Sequence, residues 1–266
     1  MLAVGRELLI GRTLNTNAQW IGRRLARKGI TLAEVTTVDD DLEEIESGLK
    51  TCLRRRPDLV VVVGGLGPTP DDMTLKGVSG AIGRNLRLNK RALGLIREHY
   101  VKRDLANIEL TPARKKMAVL PAGAEAVPND VGTAPGVRLV TGDSVVYCLP
   151  GVPAEMKDIF RKTVEPEIVK RLGRLHRRYI SMKIKGIYES ALAPMISEQL
   201  KRHPEAYIKS HPRGIKEGQS RIELDVAVVN ESMEKADATA DRIASDLKKK
   251  IEAAGATIVA ERRTAP

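Results

Sequence analysis

Two patterns of apolar residues divide the chain near residue 172. Before it, short apolar runs alternate with segments of helical spacing. "MLAVG" (1–5) is a short strand. "NTNAQWIGRRLARKG" (15–29) puts Trp20, Ile21 and Leu25 on one helical face, with Asn15 or Thr16 as cap and Gly29 as stop. "TLAEVTTV" (31–38) reads as a strand. In "DLEEIESGLKTCLRRR" (41–56), Leu42, Ile45, Leu49, Cys52 and Leu53 keep helical spacing, Asp41 and Glu44 resemble a capping box, and Pro57 stops the helix. "LVVVV" (59–63) is apolar at every position, as the centre of a parallel sheet requires. Helices are predicted from about 72 to 82 and from about 90 to 102. Strands follow in "MAVLP", "GVRLV" and "VVYCLP", with "TGDS" (141–144) as a hairpin turn. "PAEMKDIFRKTVEPEIVKRL" is a helix opened by Pro153. Alternating strands and helices with buried strands predict an α/β domain with helices on both sheet faces.

After a linker at Gly173–His176 the strands alternate apolar and polar positions. "YISMKIKGI", "AYIKS", "SRIELDVAVV" and "ATIVAE" are strands. "ESALAPMISEQLKR", interrupted by Pro194, and "ESMEKADATADRIASDLKKKIEAAG" are helices. The order βαββαβ is a small α+β sandwich. The predicted domains are therefore 1–172 and 173–266.

Composition narrows the class. With 42% hydrophobic and 30% charged residues, a packed soluble protein is expected, and with 3% aromatics its core must be aliphatic. No apolar run approaches the roughly 20 residues of a membrane span, and the N-terminus carries Arg6 and Glu7 without a cleavage site, so a cytoplasmic protein is expected. Cys52 and Cys148 read as small buried hydrophobes. Four scattered histidines without a CxxC argue against zinc. The net charge of +11 suggests nucleic acid, but it is spread: 26 Lys+Arg against 21 Asp+Glu in residues 1–170, and 19 against 13 in 171–266. The excess is thus +5 and +6, without a basic tail, and a solvated face is the better reading.

The chemistry concentrates in "VVVVGGLGPTPDD" (60–72). A parallel strand delivers its C-terminal end to the rim where α/β domains bind ligands. Gly64, Gly65 and Gly67 follow at once, allowing close backbone approach and positive φ. Exposed N–H groups there can cradle an anion, and the next helix aims its positive end at the same place. The loop is neither a P-loop nor a dinucleotide GxGxxG. Two roles fit the aspartates. Thr69 as N-cap, with Pro70 first and Asp72 third in the helix, makes Asp72 structural. Alternatively Asp71 and Asp72 hold a divalent cation, since Mg²⁺ commonly takes one or two carboxylates plus phosphate oxygens.

Five co-linear segments, "GRELLIGRTLNTNAQWIGRRLARKGI", "GGLGPTPDDMT", "PNDVGTAPGV", "LPGVPAEM" and "GIYESALA", closely resemble the N-terminal part of CinA-type (competence-damage-inducible) proteins. That part belongs to the molybdopterin-binding superfamily of molybdenum-cofactor biosynthesis. The resemblance covers essentially the whole chain, most densely residues 4–156. It implies a three-layer α/β/α molybdopterin-binding-like domain, followed by a small α+β KH-like domain. It implies metal-dependent hydrolysis of a nucleotide diphosphate, ADP-ribose first, with Mg²⁺ or Co²⁺ as cofactor. Related modules beside flavin-nucleotide synthetases hydrolyse the flavin dinucleotide. The alternatives are a non-catalytic module holding molybdopterin or a nucleotide, and, last, a nucleic-acid-binding protein. Many family members carry a nicotinamide-mononucleotide deamidase domain. This chain ends near "TIVAERRTAP" without it, so that activity is not carried over.

By the same resemblance, Gly64, Gly65, Gly67 and Thr69 hold the diphosphate, and Asp72 is the acidic residue of the pterin-site motif. Asn15, Thr16 and Asn17 form a loop beside the ligand. Glu7 and Asp40 match acidic residues expected to orient the attacking water, so Asp72, Glu7 and Asp40 form the expected catalytic set. Thr133, Pro135 and Gly136, with Pro150, Gly151 and Glu155, match two further loops on the rim. Arg6 stands where asparagine is usual and Asp39 where glycine is usual. The first strand has almost nothing upstream of it, so a shortened N-terminus is an expectation. Residues 174–266 contain no GxxG clamp and few aromatics to stack bases. That domain is expected to shape a homodimer or edge the site, and the expected partners are a small-molecule nucleotide diphosphate and a second copy of the chain.

Overall fold

The computed structural model describes residues 1–102, 109–173, 175–216 and 218–264. The chain folds into two compact units: Met1–Gly22 with Leu32–Arg171, and Arg23–Thr31 with Leu172–Pro266. Arg174, in the expected linker, lies outside the described residues.

The first unit contains β1 (Leu2–Val4), α1 (Arg6–Leu9), α2 (Thr16–Ala26) up to Gly22, β2 (Thr36–Val38), α3 (Leu42–Arg54), β3 (Leu59–Val63), α4 (Thr74–Ala81), β4 (Leu86–Leu88) and α5 (Lys90–Val101). It continues with α6 (Pro112–Lys116), β5 (Val119–Pro121), β6 (Glu125–Val127), β7 (Gly136–Thr141), β8 (Ser144–Leu149), α7 (Pro153–Ile159), a π-helical turn (Phe160–Val164) and α8 (Glu165–Leu172). One sheet runs β2-β1-β3-β8-β7-β6. β2, β1, β3 and β8 are parallel, while β7 and β6 run antiparallel to their neighbours.

Every residue of β8 is buried, as are Val60 to Val63 of β3. Successive side chains alternate across the sheet. Leu2, Val4, Val60, Val62, Val146 and Cys148 join a core with Ile45 and Leu49 of α3, Val78 of α4 and Ile96 of α5. Ala3, Val61, Val63, Tyr147 and Leu149 turn to the opposite face. Ile21 of α2, Met156 and Ile159 of α7 and Phe160 are also fully buried. The result is the three-layer α/β/α domain expected from the alternation. Both cysteines are buried and free, and burial pushes the Cys148 thiol up to about 12.

Several local expectations are corrected. The strand expected over 31–38 is confined to Thr36–Val38, because its partner β1 offers three residues for pairing. The short elements α1, β4 and β6 were not anticipated. Three or four residues fall below the window in which a period can be read. α4 begins at Thr74 with Met73 as its N-cap, so Thr69 and Asp72 belong to the preceding loop and not to the helix. By contrast Asp41 caps α3 as expected, accepting from Glu43 N and Glu44 N.

The second unit has the expected order: β9 (His176–Lys185), α9 (Glu189–Arg202), β10 (Ala206–Lys216), β11 (Gln219–Asn230), α10 (Met233–Ala253) and β12 (Thr257–Thr264). Its antiparallel sheet runs β10-β11-β9-β12, the split βαβ arrangement. Ile180, Met182 and Ile184 of β9 and Leu224, Val226 and Val228 of β11 pack with Ile243, Leu247 and Ile251 of α10. Pro194 sits inside α9 without ending it. Among the described residues no helix is long and apolar enough to cross a membrane.

Candidate functional site

β1, β3 and β8 run parallel, so their C-terminal ends emerge together. β3 passes directly into Gly64 and Gly65, both with left-handed φ (116° and 60°). A Cβ on Gly64 would lie 2.1 Å from Val4 O, and one on Gly65 would lie 2.5 Å from Thr74 Oγ1. Side chains are therefore excluded from both positions. The loop is pinned at its base: Gly64 N donates to Leu149 O at 3.0 Å, Thr74 N to Gly65 O at 3.3 Å, and the buried Thr74 hydroxyl to Gly64 O at 2.8 Å. At its far side Asp72 Oδ2 accepts from Thr69 N (2.9 Å) and from the Thr69 hydroxyl (2.5 Å), and Lys116 Nζ donates to Thr69 O. Asp72 thus reaches back to Thr69 as a clasp across the loop. Between these ties, among the described residues, the N–H groups of Gly65, Leu66 and Gly67 have no acceptor. Buried or half-buried backbone donors ordinarily find a partner.

A cleft of about 480 Å³ opens beside this loop. Gly65, Gly67 and Asp72 form one wall, and Thr133, Pro150, Gly151 and Glu155 form another. Glu155 is fixed from behind. Its Oε2 accepts from Asn129 Nδ2 at 2.7 Å, and a Cβ on Gly132 would come within 2.1 Å of its carboxylate. Asn129 also donates to Ala134 O and accepts from Gly132 N, organising the loop that carries Thr133.

Glu7, Asn15, Thr16 and Asn17 line a smaller cavity of about 100 Å³ that shares Gly151 with the cleft. Asn15 caps α2 by accepting from Ala18 N. Asn17 Nδ2 donates to Gly151 O at 2.7 Å, while its Oδ1 is buried and accepts no hydrogen bond among the described residues.

Several nominated residues are not brought to either space. Pro135 precedes β7 and Gly136 is its first residue, and Thr69 acts through its clasp with Asp72. Asp71 is exposed outside the cleft. Asp40 Oδ2 accepts from Arg6 N at 2.8 Å, at the start of α1, and lines neither space. The two residues that depart from the usual pattern, Arg6 and Asp39, are each other's partner: Arg6 Nε meets both Asp39 oxygens at 3.0 Å and Nη2 meets Oδ2 at 2.8 Å. Sequence reasoning missed Asn129, Lys116, Tyr100 and Met117. The asparagine after Pro128 was the one legible signal, since Asn in such a position bonds its own backbone two or three residues on. Among the described residues no three His, Cys, Asp or Glu side chains form a metal-binding group. Asp72 and Glu155 both line the cleft, and a carboxylate together with phosphate oxygens is a donor set that Mg²⁺ commonly takes.

Residues 1–170 match the family described as "Probable molybdopterin binding domain". A protein of Aeropyrum pernix is 41% identical over 263 residues, covering 98% of this chain and 96% of its own length. One of Pyrobaculum arsenaticum is 37% identical over 247 residues, covering 93% and 92%. Among solved structures, the chain is similar to "the protein CinA with unknown function from Thermoplasma acidophilum", with 42% identity, 62% of this chain and 95% of that one covered, and a TM-score of 0.57. The loops that shape the rim all fall within the matched stretch, and the chain belongs to the molybdopterin-binding-domain family as a CinA-like member.

Proposed function

We propose that the rim of the first unit binds a diphosphate-bearing nucleotide and hydrolyses its phosphoanhydride, as in ADP-ribose pyrophosphatases. The observation that carries this reading is the run of N–H groups at Gly65, Leu66 and Gly67, without an acceptor among the described residues, at a strand end where Gly64 and Gly65 leave no room for a Cβ. Such a run suits an anion with several oxygens and not a single carboxylate. Donors fixed beforehand also stabilise charge that develops on the phosphoryl oxygens during substitution.

The Asp72 clasp keeps the loop in this shape. Glu155, held by Asn129, lines the same cleft and in this reading orients the attacking water as its proton acceptor. Asn17 Oδ1 awaits a hydroxyl or N–H donor of the ligand, such as a ribose hydroxyl. Asp72, whose Oδ2 accepts from Thr69, would hold a divalent cation through its other oxygen, and the cation when bound would neutralise the diphosphate and polarise it.

The test is incubation of the whole chain with ADP-ribose and Mg²⁺ or Co²⁺. AMP release is expected, reduced at least roughly 100-fold in Asp72→Ala and Glu155→Gln. AMP release unchanged in both variants would overturn the assignment. Tight ligand binding without AMP release under any cation would leave a binding module in place of an enzyme.

A further inference from the structure

A second cleft, of about 620 Å³, lies against the same loop. Gly65, Leu66, Gly67, Asp72 and Met117 line both clefts, so the loop is the partition between them. The walls differ in chemistry. The first cleft sets Thr133 and Glu155 beside Tyr100, Pro68, Pro150 and Val152. The second is lined mostly by apolar side chains from α4, β4, β5 and α6, including Met73, Leu75, Leu86 and Val119, with Lys76, Lys115 and Lys116 around it. None of the residues expected from sequence to bind substrate lies on this apolar wall.

We propose that the second cleft holds the planar heterocyclic base of a two-ended diphosphate, whose other, sugar-bearing half lies in the first cleft. This rests on the reading of the loop as the diphosphate seat. A seat with a space on each side suits a ligand in which the diphosphate joins two organic halves; a ligand ending in its diphosphate would fill one of them. The apolar walls remove the ring faces from water. Methionines at 73 and 117 adapt their shape to a flat ring edge, since three rotatable bonds let the side chain follow an irregular contour. The cationic rim adds attraction for the phosphates that approach it.

Calorimetric titration of the whole chain with ADP-ribose, ADP, ribose 5-phosphate and inorganic pyrophosphate tests this, in wild type and in Leu86→Trp and Lys76→Glu. Leu86 is half-buried on the short strand β4, and its indole replacement would occupy the cleft. Lys76 is exposed, so its variant guards against a folding defect in the first. Thermal unfolding checks both folds. ADP and ADP-ribose are expected to lose roughly tenfold or more in affinity in Leu86→Trp and a smaller amount in Lys76→Glu. Pyrophosphate and ribose 5-phosphate should be unchanged in Leu86→Trp. Wild-type protein that binds pyrophosphate and ADP-ribose, with ADP-ribose affinity unmoved in both variants, would overturn the base cleft alone. Wild-type protein that binds neither would overturn the diphosphate seat itself.

Discussion

The two units end their strands in opposite ways. In the first, parallel strands β1, β3 and β8 deliver their C-terminal ends to one edge, and the backbone leaving β3 is packed against the end of β1. In the second, every neighbouring pair is antiparallel, so exits are divided between two edges. Topology decides whether a bare-backbone segment is packed against its neighbours. Gly64 and Gly214, the latter at the irregularity of β10 between Pro212 and Ile215, show the contrast: both have positive φ (116° and 81°), but a Cβ at Gly64 meets Val4 O at 2.1 Å, whereas among the described residues nothing lies within 4 Å at Gly214. Gly64→Ala should cost about 3 kcal/mol or more, because strain and a clash with backbone add. Gly214→Ala should cost about 1 kcal/mol, the backbone strain alone. Chemical denaturation of both variants checks this, and equal losses would show that φ, not close packing, sets the demand.

The units also differ in how they hold charge. Glu167 in α8 accepts from Arg138 Nε (2.7 Å) and Nη2 (2.9 Å), from the Tyr147 hydroxyl (2.5 Å) and from Arg171 Nε (3.0 Å), and its side chain is 17% exposed. Arg138 above all, then Tyr147, holds its carboxyl down to about 2, from an ordinary 4.5. A depressed carboxyl stabilises the fold above its unfolded value and loses that contribution as pH falls from about 4.5 toward 2. The loss should reach up to about 3 kcal/mol. Glu167→Gln should flatten the unfolding curve in that window. In the second unit, the Arg213–Glu223 pair has a guanidinium 63% exposed. Glu223→Gln should change stability by less than about 1 kcal/mol. An unaltered acid profile in Glu167→Gln would assign the acid response to other carboxylates.

What the sequence discloses follows the length of the element and the range of the contact. The helices from Leu42 and from Met233, and the buried strand Leu59–Val63, were legible because a period persists over many residues or every position is apolar. The three-residue strands Leu86–Leu88 and Glu125–Val127 carry no period to read. At the rim, residues whose partners are local in sequence were read well. Asn15 caps α2, and Asp72 meets Thr69 three residues away, though as a loop clasp and not as a helix cap. Contacts distant in sequence were not legible. Lys116 reaches Thr69 O across 47 residues, Asn129 holds Glu155 across 26, and Arg6 meets Asp39 across 33. A single chain without its fold gives no measure of those distances.

Thr74 tests the loop at a smaller magnitude. Its hydroxyl is buried and donates to Gly64 O, so Thr74→Val keeps the volume and leaves that carbonyl without its partner. A cost of about 1–2 kcal/mol is expected, together with weaker ADP-ribose binding, because Gly64 and Gly65 set the direction of the free N–H groups. Thr74→Ser, which retains the donor, should recover most of the binding. Equal binding in wild type and Thr74→Val would separate the stability of the loop from its ligand role.

The smallest expected effect sharpens the division between carboxylates that line the cleft and those that do not. Asp40 was a candidate to orient the attacking water, yet its Oδ2 accepts from Arg6 N at the start of α1. A carboxylate there compensates a backbone donor with no intrahelical acceptor. Asp40→Asn keeps an acceptor oxygen and loses the charge, so stability should fall by less than about 1 kcal/mol. AMP release from ADP-ribose should stay within about twofold of wild type, since a group held away from the cleft removes no transition-state contact. The comparison with Glu155→Gln is direct, because each change removes one negative charge from one end of the same sheet. A tenfold or greater fall in Asp40→Asn would mean that α1 moves to release Asp40 when the ligand binds, and would return it to the catalytic set.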